Sequence, residues 1–139
     1  MKYAIFTLGF LALFLSSCQK EIETPPCKRD MKTKKDFAID TSQLQKIKSG
    51  TEYSTTLIGS EENETQYYEI KFHWIDQNGM IQDLLLGDVP VDACAITWKV
   101  PNILNKCCSL SAEGFTVDKA GIRTYLSYFS TLPKLFEVY

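Results

Sequence analysis

Five cysteines and one histidine are the residues of this 139-residue chain best suited to chemistry. His73 is the sole imidazole, and so the only side chain whose ordinary titration makes it a base near neutral pH. Beyond Cys18 stand Cys27, Cys94, Cys107 and Cys108, an even set that in an oxidising compartment implies two disulfides with three pairings. Joining the adjacent Cys107 and Cys108 would close a strained eight-membered ring, so each is expected to reach elsewhere. Cys94 is placed to bridge to one of them, and Cys27 would take the other and pin the N-terminal segment. Each bridge would contribute roughly 2–4 kcal/mol. Thiolates and His73 are also good ligands for zinc or copper(I). However, there is no Cys-x-x-Cys, and neighbouring cysteines do not converge easily on one tetrahedral ion, so no metal and no other cofactor is expected.

Catalytic signatures are sparse. The chain has no Gly-x-Ser-x-Gly elbow, His-Glu-x-x-His pair, Walker loop or glycine-rich dinucleotide loop. Carboxylates such as Asp88 and Asp92 are no more suggestive than those of many surfaces. Triad members lie far apart along a chain, so His73 leaves an envelope hydrolase as the enzymatic alternative. The expectation is a non-catalytic protein.

The N-terminus is more specific. Lys2 precedes an uncharged apolar run over residues 4–15, too short to span a bilayer and of the right length for a secretion signal. The run ends in Leu15-Ser16-Ser17-Cys18, which resembles the lipobox of bacterial lipoproteins at every position. That resemblance implies removal of residues 1–17 and diacylation of the Cys18 thiol. The Gln19-Lys20-Glu21 that follows is similar to the charged start of Bacteroidota-type lipoproteins. This implies a lipid-anchored protein of the outer membrane, at its periplasmic face or on the cell surface.

Loss of Lys2 with the leader takes the net charge from −2 to −3. Residues 18–36 carry six basic and four acidic side chains with Pro25-Pro26, the composition of a flexible, charged, lipidated stalk. Its excess of lysines suits a solvated tether, the alternative being a stalk that lies against anionic headgroups. Residues 37–139 form one domain with eight basic and thirteen acidic groups. An acidic domain disfavours phosphate backbones, so nucleic acid is not an expected partner.

Stepping along that domain, Tyr68, Ile70, Phe72 and Trp74 alternate with Tyr67, Glu69, Lys71 and His73, the pattern of a half-buried strand with the first set inward. Tyr53, Thr55 and Leu57 alternate similarly, as do Cys94, Ile96, Trp98 and Val100, up to Pro101. Asp76-Gln77-Asn78-Gly79 and Asp118-Lys119-Ala120-Gly121 have the Asp-first, Gly-fourth preference of type I turns, so each is expected to close a hairpin. Residues 42–49 suggest a short helical turn capped by Ser42, and residues 135–139 a last strand. Residues 122–131 fit a strand by composition, although Ile122, Tyr125, Leu126 and Phe129 also make a helical stripe. The expected fold is mainly β, a small immunoglobulin-like β-sandwich of antiparallel hairpins. The alternative is α+β with one helix near 122–131.

Ser49-Gly50-Thr51-Glu52-Tyr53 is similar to the Ser-Gly-x-x-Tyr loop of the membrane-bound C-type lysozyme inhibitors, small β-rich lipoproteins. That resemblance implies insertion of Ser49 and Tyr53 into a lysozyme cleft, but the family's second loop, Thr-Lys-Gly, is absent. The main expectation remains a domain that binds a protein or glycan partner. Ser49, Tyr53, Tyr67 and His73 are the candidate contacts.

Overall fold

The computed structural model describes residues 37–42, 44–60, 64–132 and 134–139. The expected leader, the stalk, Cys18 and Cys27 lie outside the described residues. Nine strands account for the regular structure: β1 (Ala38–Ile39), β2 (Lys46–Ile47), β3 (Glu52–Ile58), β4 (Tyr67–Ile75), β5 (Ile81–Pro90), β6 (Ala95–Lys99), β7 (Asn105–Val117), β8 (Arg123–Ser130) and β9 (Phe136–Val138). Among the described residues there is no helix. Two sheets pack face to face as a small β-sandwich. The smaller has the order β1-β3-β6, and the larger runs β2-β9-β7-β4-β5 with β8 also paired to β7. All pairings are antiparallel except β2 with β9.

Alternation along β4 sets the layering. Tyr68, Ile70 and Phe72 are fully buried and face Leu57, Ile96 and Trp98 of the smaller sheet. Phe72, Trp98 and Phe136 gather with ring centroids 5.8–6.5 Å apart. The Trp98 indole N–H donates to Thr55 Oγ1 across 2.9 Å, which satisfies the one polar atom this ring brings inside. Phe37 stacks on Tyr68 at 4.3 Å and meets Phe129 edge-on at 4.6 Å, closing one end of the sandwich.

Both expected hairpin turns are present, joining β4 to β5 and β7 to β8. In each, the Gly N–H donates to the carbonyl of the leading Asp at 3.0 Å. The Asp carboxylate also accepts from two backbone N–H groups of its own turn, Asn78 and Met80 in one and Ala120 and Ile122 in the other. For Asp76 these bonds, with Met80 first, hold the carboxyl below its ordinary range.

Two local expectations are corrected. The described residues of 42–49 form no helix. Asp40 accepts from the Ser42 N–H at 2.9 Å, and the chain passes directly into β2, whose Ile47 is wholly buried. Residues 122–131 hold a strand, β8, and not the helix of the α+β alternative. The helical stripe there has a structural origin. A bulge opposite Gly114 and Phe115 leaves Leu126 without a register partner, so Tyr125 and Tyr128 fall on one face and Phe129 on the other. A strand with one inserted residue thus spaces its outward tyrosines three apart, as a helix would.

Candidate functional site

The side of the larger sheet turned away from the core carries every second residue of its strands. From β4 come Tyr67, Glu69, Lys71 and His73. Register places Phe115, Glu113, Ser111 and Ser109 of β7 beside them, with Asp88, Leu85 and Asp83 of β5 on the other flank. Tyr125 and Tyr128 of β8 complete the rows next to Phe115 and Glu113. This outer face gathers a connected set of interacting polar and aromatic side chains.

Arg123 organises one end of it. Its guanidinium bridges two carboxylates, reaching Glu69 Oε2 at 3.0 Å and Asp88 Oδ2 at 2.8 Å. Its Cζ also lies over Phe115, 4.4 Å from the ring centroid. The Tyr125 hydroxyl donates to the same Glu69 oxygen at 3.0 Å, and Lys71 Nζ stands 3.5 Å from Oε1. Phe115 is only 2% exposed although it points outward, because Arg123, Tyr67 and Tyr125 roof it over. Its hydrogen bond to the Asp88 carboxylate holds the guanidinium proton more tightly than usual. Burial, then the bond to Glu69, does the same for the Tyr125 hydroxyl. Both groups are therefore locked as donors. Around this fixed centre Tyr67, Tyr125 and Tyr128 remain 40%, 44% and 60% exposed.

The other end is a relay across three strands. His73 Nδ1 meets Asp83 Oδ1 at 2.5 Å, and Nε2 meets Ser111 Oγ at 2.6 Å. A carboxylate only accepts, so Nδ1 carries the proton, and in the neutral ring Ser111 then donates to Nε2. The contacts follow the order of a Ser-His-Asp triad. The surroundings differ from one: Ser111 is 2% exposed and sits mid-strand between β4 and β8, where sheet pairing consumes its backbone N–H. A nucleophile must meet its substrate at the surface, and this hydroxyl is buried. The relay holds the imidazole upright between strands.

Of the four candidate contacts, the structure brings Tyr67 and His73 together on this face. Tyr53 belongs to β3 of the smaller sheet, whereas Ser49 lies in the turn between β2 of the larger sheet and β3. Ser49 donates its N–H to the Tyr139 carbonyl at 2.7 Å, and Gly50 takes the positive φ of +73° that turns the chain into β3. Tyr53, within β3, pairs with Trp98 and packs partly buried against the core, while Ser49 and Gly50 form the turn that precedes the strand. Phe115, Asp83, Ser111 and Arg123 were missed by sequence reasoning. Their only signal is cross-strand register, which no local pattern reports.

The cysteines depart from the expected pairing. Cys107 and Cys108 are both free thiols, so neither bridges to Cys94 or Cys27. They are neighbours on β7 and point to opposite faces. Cys108 lies in the core with its sulfur 3.6 Å from the Asn105 carbonyl, and burial pushes its thiol up to about 11. Cys94 is disulfide-bonded, with its partner outside the described residues. Among the described residues, no three His, Cys, Asp or Glu side chains gather as a metal-binding group. A hollow of about 410 Å³ between the β4–β5 turn and β9 is lined by Ile75, Asp76, Leu104, Lys106, Glu137 and Tyr139, none of them a candidate site residue.

The chain matches no protein-family model, no curated protein and no solved structure.

Proposed function

We propose that the chain is an envelope lipoprotein whose domain binds a protein partner through the outer face of the larger sheet, without catalysing its turnover. The observation that carries this reading is the Arg123 cluster, in which one guanidinium stacked on Phe115 and bonded to Glu69 and Asp88 fixes a platform ringed by exposed Tyr67, Tyr125 and Tyr128. Tyrosine and arginine are the residues that concentrate binding energy in protein interfaces. Groups held in place before contact lose little entropy on binding. The face spans β5, β4, β7 and β8, a breadth that suits a protein surface better than a small molecule. A glycan strand stacking on the same rings is the other ligand class this face suits.

The anchor in this proposal is Cys18, acylated after cleavage at the lipobox, which places the domain at the outer membrane on either its periplasmic or its outer side. With Cys107 and Cys108 free and Cys18 lipid-bearing, Cys27 is the cysteine left to pair with Cys94. The stalk would then be tied to the domain nine residues beyond the lipid, about 30 Å at full extension.

Tyrosine iodination followed by peptide mapping tests the binding face. Tyr67, Tyr125 and Tyr128 should be protected in intact envelopes relative to the purified full chain in detergent. Tyr139, 51% exposed and remote from the face, should iodinate equally in both. Equal modification of all four would remove the proposal.

A further inference from the structure

We propose that β5 is a self-pairing edge, through which two copies of the chain join their larger sheets into one. β5 ends the larger sheet, and β4 is its one strand neighbour among the described residues. An unpaired edge offers a row of backbone donors and acceptors to any extended strand, and protein surfaces usually blunt such edges with charge or cover them. This one exposes several large apolar side chains over its first half, beside a single charge at Asp83. Met80, Ile81, Leu84 and Leu85 are 62%, 71%, 42% and 57% exposed. Ile81 and Leu85 follow Ile75 and Lys71 on the outer face, while Leu84 follows the buried Phe72 on the core side. The edge therefore exposes apolar side chains on both faces, with Asp83 among them on the outer face and Gln82 on the core side, and its complement is a strand of the same mixed pattern. β5 itself is such a strand.

Symmetry limits the registers. A two-fold axis perpendicular to the sheet pairs β5 with itself antiparallel, and matching faces require the axis to pass through a residue. Centring on Asp83 would set two aspartates directly opposite, which is destabilising. Centring on Leu84 places Leu84 against its copy and Asp83 against the second copy's Leu85. Leu85 is itself the β4-side neighbour of Lys71. The long Lys71 side chain, 36% exposed, can then reach across Leu85 to the second copy's Asp83, 55% exposed. The two-fold repeats this contact, so each interface gains two opposite-charge pairs. The bulge at residue 86 and Pro90, which has no N–H to donate, end the pairing beyond its apolar half. Closure by a two-fold covers both edges at once, whereas open-ended stacking would not. It also makes one continuous outer face with two Arg123 clusters.

Disulfide trapping in the full chain, in its native envelope, tests the register. Directly opposed antiparallel residues have Cα atoms about 4.5–5.5 Å apart, within disulfide range, so Leu84→Cys should run as a covalent dimer on non-reducing gels. Gln82→Cys would sit roughly 13 Å from its copy and should stay monomeric, as should the unsubstituted chain with its two native free thiols. In detergent, sedimentation should give twice the protomer mass for the unsubstituted chain and a single protomer mass for Leu85→Lys. Leu85 is exposed, so that substitution should leave the circular dichroism spectrum unchanged. A monomeric unsubstituted chain, equal trapping at positions 82 and 84, or a ladder of higher oligomers would overturn the proposal.

Discussion

Removing the Arg123 guanidinium leaves Glu69, 8% exposed, beside Asp88 with only Tyr125 and Lys71 to offset its charge, and it uncovers the Phe115 ring. Losing a bridging cation from a partly buried carboxylate costs more than losing an ordinary surface pair. Arg123→Ala should therefore lower the unfolding free energy by about 1–2 kcal/mol in urea titrations. Arg123→Lys should recover only part of this, since an ammonium cannot lie flat on Phe115 while bridging two carboxylates. The free thiols differ just as sharply. Half-buried Cys107 should alkylate with iodoacetamide in the folded chain at pH 8, whereas Cys108 should react only on unfolding, as mass mapping would show. Burial raises the Cys108 pKa from 9.0 to about 11, so its contribution to stability is complete below pH 9 and is lost as pH rises through about 11. A Cys108→Val chain should lack that part of the alkaline decline.

The two hairpin turns depend on Gly79 and Gly121, at φ +77° and +81°, with open space where a Cβ would go. The cost of Gly121→Ala is then conformational alone, about 1–2 kcal/mol, and thermal melts should show it without any change of fold. These turns were readable in the sequence because their chemistry is local: Asp first to accept, Gly last to take the positive φ. β4 was readable because its polar and apolar residues alternate without interruption. β5 was not, because its first half is exposed on both faces and the bulge at residue 86 shifts the phase afterwards. β7 was hidden for the opposite reason. Flanked by β4 on one side and by β8 and β9 on the other, it is crowded on both faces and filled with small residues such as Ser109, Ser111, Ala112 and Gly114. The site divides in the same way. Alternation alone put Tyr67 and His73 on one face, but Asp83, Ser111 and Arg123 reach that face through pairings 10 to 54 residues apart.

At the scale of the molecule, the sandwich separates two surfaces with different tasks. One side of the larger sheet packs on the smaller sheet and supplies the core. The other is an ordered aromatic and charged platform whose exposed rings contribute little to that core. In the proposed lipoprotein, the anchor sets where this platform is presented. Its mass should show a chain beginning at Cys18 with an acyl increment, and in the unfolded chain two thiols alkylated without reduction and two more after it. Four thiols reactive before reduction would contradict the Cys27–Cys94 bridge. The most direct test of the central claim uses a photo-crosslinking amino acid placed at Tyr128 on the platform, and separately at Glu52, an exposed position on the smaller sheet. On irradiation of intact envelopes, position 128 should give one discrete protein adduct that Arg123→Ala weakens, and position 52 should give none. The same adduct from both positions, or from neither, would contradict the assignment of the outer face as the binding surface.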